Sequence, residues 1–182
     1  MFRFYILLIL FLISCKKDKD KFVVENKTNE KQNLKDYIDF KYDKVIAFAS
    51  VDPMDYYDDD FNEKIDVKKF KDTISKTLNA TQIKNLNDIL SGRKNLKIDS
   101  VTTVADCFYP RHNVIFLKDE KIINDIVVCF ECNKIKSTKL PLANMYNLEK
   151  FFNSIGLKVF YNPLEHAEYY NYLKFTKKKK QE

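Results

Sequence analysis

The sequence predicts an α+β fold: a small antiparallel sheet, built on a central β-hairpin and meander, flanked by helices. Three observations carry this. Segments rich in β-branched and aromatic residues gather in the middle of the chain, between Ile98 and Thr138. Stretches with apolar residues at helical spacing lie before and after them. No strand–helix–strand alternation recurs, so a parallel sheet is not expected.

The first strand is "KVIAFASV", Lys44 to Val51, a compact apolar run. The acidic stretch "DPMDYYDDDFNEKID" follows. It has no glycine at a sharp turn and no glutamate at the twelfth position, so it reads as a solvated loop rather than an EF-hand. "DVKKFKDTISKTL" places Val67, Phe70, Ile74 and Leu78 on one helical face, with Asp66 as N-cap. "NATQIKNLNDILSG" predicts a second helix, capped by Thr81, striped by Ile83, Leu86 and Leu90, and stopped by Gly92. "LKIDSVTTVADC" alternates as a strand does, and "NVIFL" and "IINDIVVCF" read as strands by composition. "NKIKST" extends the meander. "NLEKFFNSIG" is a helix ending at Gly156, "LKVFY" a short strand, and "LEHAEYYNYLKF" a last amphipathic helix.

Composition bounds function without naming it. The hydrophobic fraction of 45% supports a packed core, and 32 basic against 26 acidic residues is too even a balance to suggest nucleic acid binding. Part of the excess sits in the terminal run Lys177 to Lys180, most simply a solvated tail. With only Gly92 and Gly156 in 182 residues, the chain has no glycine-rich phosphate loop and no G-x-S-x-G nucleophile turn.

The start, "MFRFYILLILFLISC", has a basic residue at Arg3 and an apolar run from Phe4 to Ile13. That run is short of the about 20 residues needed to cross a bilayer, but suits the core of a secretory signal. Leu12-Ile13-Ser14-Cys15 resembles the end of a bacterial lipoprotein signal peptide. The resemblance implies cleavage before Cys15, acylation of that cysteine, and a protein anchored to a membrane of the cell envelope. Lys16 follows the anchor, so no aspartate there argues for inner-membrane retention, and the outer membrane is favoured. The expected organisation is a signal peptide over 1–14, a lipid anchor and charged tether over 15–36, and one α+β domain over 37–182.

The stretch "CFYPRHNVIFLKDEKIINDIVVCFEC" holds the remaining three cysteines and one of two histidines. "KDEK" is a polar turn of hairpin length. Centred on Asp119 and Glu120, it sets Cys107 opposite Cys132 and His112 opposite Val127, with a slip of one or two residues bringing His112 nearer Cys129. A hairpin thus gathers Cys107, His112, Cys129 and Cys132 at one end. Three chemistries fit. A structural disulfide, Cys107 with Cys132 and Cys129 left over, ranks first for an exported protein. A zinc site would use the complete Cys3His set. Cys129 and Cys132 have the spacing of a redox dithiol but follow a strand, not a helix N-terminus. The plainest alternative is cysteines packed as small hydrophobes. "CFYPRH…CFEC" resembles a motif recurring in uncharacterised bacterial proteins, many of them lipoproteins, over about Ile83 to Cys132. Arg111 is a candidate anion contact, and His166 reads as a helix-surface residue. The expectation is a non-catalytic binding or structural lipoprotein, with a metal-binding or thiol-redox protein as the alternative. The protein or small-molecule partner is not legible.

Overall fold

The computed structural model describes residues 34–57, 64–94 and 108–179, all within one unit, Leu34–Glu182. Cys15, the tether up to Asn33, Cys107 and the strand expected near Ile98 to Val104 lie outside the described residues. Five strands form one antiparallel sheet: β1 Lys44–Ala49, β2 Ile74–Thr77, β3 His112–Lys118, β4 Lys121–Cys129 and β5 Lys134–Ser137, in the order β2-β1-β3-β4-β5. Three α-helices accompany it: α1 Ala80–Leu90, α2 Met145–Ser154 and α3 Pro163–Lys179. The α+β class is as the pattern predicts.

Both sheet faces are covered, which is why β1 reads as a continuous apolar run rather than an alternating one. Val45, Ala47, Ala49, Val114, Phe116, Ile126 and Val128 point to the larger core, where they meet Leu86, Ile89 and Leu90 of α1, Leu148, Phe151 and Phe152 of α2, and Tyr170 of α3. On the other face Ile46, Phe48 and Ile115 pack with Tyr56 and Tyr57.

The segment expected as a helix over 66–78 is instead a 3-10 turn, Val67–Asp72, followed by β2. Asp66 still caps it, its carboxylate accepting from Lys68 N at 2.9 Å. The helical stripe loses because β1 has a free edge: β2 pairs Ile46 to Ala49 with Ile74 to Thr77 and satisfies backbone groups that would otherwise be buried unpaired. α1 starts two residues earlier than expected. Asn79, not Thr81, is the N-cap, because Asn79 and Gln82 bond each other's backbone N–H reciprocally at 2.9 Å. The predicted strand "LKVFY" is not a strand: Leu157 and Val159 are buried in the core, and the Lys158 carbonyl accepts side-chain hydrogen bonds instead of a ladder bond. α3 runs through Lys179, so most of the expected basic tail is helical.

The hairpin turn falls where predicted. Asp119 and Glu120 have φ of 48° and 62°, the left-handed pair of a tight two-residue turn, and Lys118 faces Lys121. Beyond Leu117 the register shifts by one, so Phe116 faces Asn124 and His112 faces Val128 rather than Val127. A bulge at Ile123 absorbs the extra residue.

Candidate functional site

The shift decides which groups meet. β3 alternates, so His112 joins Val114 and Phe116 on the larger core face, while Arg111 and Cys129 belong to the other. The slip thus separates His112 from Cys129 instead of joining them.

His112 is buried among rings. Phe152, Phe130, His166 and Tyr170 lie at centroid distances of 5.1, 5.2, 5.4 and 6.0 Å. Its Nε2 is 3.2 Å from the Lys158 carbonyl, to which the Tyr170 hydroxyl also donates at 2.8 Å. His166 Nε2 lies 2.7 Å from the Ser50 carbonyl. A carbonyl only accepts, so each imidazole carries its proton on Nε2 in these bonds. Burial, then His166 and Arg111 nearby, hold His112 down at about 3. Burial, with Arg111 adding to it, holds His166 at about 4. Both rings are neutral near pH 7, and both are structural in position. His166 is therefore not the surface residue the sequence suggests. The signal was present: His166, Tyr170 and Leu173 repeat at helical spacing and mark the inward face of α3.

The other face holds a polar pair. Arg111 Nε donates to the Val51 carbonyl at 3.3 Å, and its guanidinium forms an ion pair with Glu131. The same group lies 4.6 Å from the Tyr109 ring, whose hydroxyl donates to Asp52. Burial raises the Glu131 carboxyl, and Arg111 pulls it back. Tyr109 is pushed up to about 12 by burial and by Asp52. The expected anion contact of Arg111 is thus filled from within, by a carboxylate the sequence reading did not single out.

Between these clusters sits the turn after β4. Cys129 and Cys132 are joined by a disulfide with Cα atoms 5.2 Å apart, within the usual range, and Cys132 N donates to Cys129 Sγ at 3.2 Å. Asn133, at φ 50°, closes the turn with its N–H on the Phe130 carbonyl. This corrects the expected Cys107–Cys132 pairing: the partner of Cys132 is the cysteine three residues away, reached by one tight turn rather than across a hairpin. The Cys3His zinc arrangement loses its donors, since disulfide sulfurs are not thiolates and His112 is turned to Lys158. Among the described residues no group of three or more His, Cys, Asp or Glu is placed to hold a metal ion. What the turn does is mechanical: Phe130 goes to the His112 cluster and Glu131 to Arg111, so one stapled turn ties both faces.

Compared with known proteins, the chain matches no family, no curated protein and no solved structure.

Proposed function

We propose that this protein is a non-catalytic module of the bacterial cell envelope, anchored to a membrane, the outer membrane in the favoured reading, by lipid on Cys15. The observation that carries the reading is the Cys129–Cys132 disulfide. Such bonds persist outside the reducing cytosol, and the signal-like start ending in Leu12-Ile13-Ser14-Cys15 points the same way. Support for a non-catalytic role comes from the polar groups themselves. Both imidazoles are committed to backbone carbonyls and Arg111 to Glu131, arrangements that hold a fold rather than turn over a substrate.

The decisive experiment replaces Cys15. In cells fed a radiolabelled fatty acid, the wild type takes up label and sediments with membranes, whereas Cys15→Ser does neither. A Cys15→Ser protein that still carries lipid overturns the proposal. The thiol-redox reading has one observation in its favour, the Cys-x-x-Cys spacing of the bonded pair. Both sulfurs belong to buried residues, Cys129 ending β4 and Cys132 in the turn after it, where an attacking thiolate has little access.

A further inference from the structure

α3 is apolar on two sides. His166, Tyr170 and Leu173 face the core. Leu164, Tyr172 and Phe175 face away from it and are 79%, 66% and 57% exposed. With Glu168 and Lys179 they recur every three or four residues, so they form one stripe along the solvent side. Large apolar groups facing water on the outer side of a helix mark a contact surface.

Charge selects the occupant. The first turns of α3 carry Glu165 and Glu168, while Lys174 and the run Lys177 to Lys179 make its far end basic. Lys174 is held by Asp55 at 3.2 Å, and Lys177 reaches the Thr73 carbonyl at 3.4 Å, so these two fix the helix against the β2 side of the sheet. Lys179 stays exposed, its ammonium 4.7 Å from the Phe175 ring. Aromatic rings flush with lysines, whose stems can lie along apolar surface while the ammonium groups reach outward, match the boundary between acyl chains and phosphate groups. No helix among the described residues is long and apolar enough to cross a membrane.

We infer that the C-terminal half of α3, with Tyr172, Phe175 and Lys179 at its centre, docks on an anionic phospholipid surface. The N-terminal glutamates tilt away and the lysine-rich end dips in. This goes beyond the lipid-anchor reading: Cys15 would hold the chain to the membrane, and α3 would set which way the domain faces. Basic groups near such a surface bind through its negative potential, so docking weakens with salt.

The chain has no tryptophan, so one introduced indole reports its own surroundings. Full-length Phe175→Trp and Leu140→Trp proteins are incorporated into vesicles of phosphatidylglycerol and phosphatidylcholine that carry brominated acyl chains. Leu140 is 80% exposed and follows β5, at the sheet edge opposite β2, so it is the control. Both sites are exposed, and far-UV circular dichroism checks that the folds are kept. The expected result is a blue shift and a roughly twofold or greater loss of emission for Phe175→Trp only. High salt, or Lys179→Glu, returns it to the control level. Vesicle flotation reports the anchor separately. Flotation with unquenched emission overturns docking and leaves the anchor standing. Quenching without stable flotation supports docking while removing the anchor. Equal quenching by phosphatidylcholine alone overturns the anionic surface. A blue shift that needs no vesicles and grows with protein concentration assigns the face to a second copy and overturns the inference.

Discussion

Acidification should weaken this fold through its two histidines, by an amount that follows from their burial. Unfolded, each imidazole titrates near 6.5; folded, His112 stays neutral down to about 3 and His166 to about 4. The folded pKa values are depressed, so the unfolded chain binds more protons below about pH 6.5. Stability is full above that pH and falls as pH drops toward the folded values. Because both folded values lie well below 5, the cost at pH 5 hardly depends on how far below they lie. It is about 2 kcal/mol per histidine, or about 4 kcal/mol for the pair between pH 8 and pH 5. Against a usual total of about 5–15 kcal/mol that is a large loss. Glu131 and Asp125, both raised by burial, act in the opposite sense over part of this range, so wild type alone is not a clean test. The assay is urea denaturation of wild type and His112→Gln/His166→Gln at pH 8 and pH 5. Gln keeps a donor for the Lys158 and Ser50 carbonyls but does not titrate. The variant is less stable at pH 8, and the gap narrows by about 4 kcal/mol at pH 5. A gap that stays constant across this range refutes the reasoning.

Two further outcomes are expected. Peptide mapping without reduction should recover Cys129 and Cys132 bridged to each other, and Cys129→Ser/Cys132→Ser should lose about 2 kcal/mol in urea melts, the small value appropriate to so short a loop; a Cys107–Cys132 link would contradict the turn geometry. Asn79→Ala should cost about 1 kcal/mol by removing the reciprocal cap with Gln82, read as a lower midpoint, whereas Thr81→Ala should cost less; the reverse order would restore Thr81 as the cap.

Most of the framework was legible because periodicity and turn chemistry are local. The stripe of Ile83, Leu86 and Leu90, the turn at Asp119 and Glu120, and the helix stop at Gly156 all depend on near neighbours. What escaped depends on distant ones. Ile74 and Leu78 fit a helix until β1 is seen to need an edge partner. Nothing in "KIINDIVV" announces that Ile123 will bulge, yet that bulge moves Cys129 off the face of His112. The candidate site suffered most, since a hairpin register carries every error to the residues farthest from the turn. The disulfide was expected in kind and misassigned in partner. His166 and Glu131 were passed over because their partners, Ser50 and Arg111, lie 116 and 20 residues away.

The bulge at Ile123 also gives the hairpin something like a reading frame. Residues before it and after it keep separate counts of inside and outside. Losing Ile123 itself would restore one uninterrupted count and leave every later pair as it stands, whereas losing one residue beyond it, with the bulge kept, would exchange the audience of every later side chain, offering Cys129 to the rings around His112 and Val128 to the neighbourhood of Arg111. Losing two would keep the count and merely shorten the arm. Over long descent, the arm beyond Ile123 should therefore change length in steps of two, and an odd step should survive only where the bulge goes with it or a second odd step cancels it.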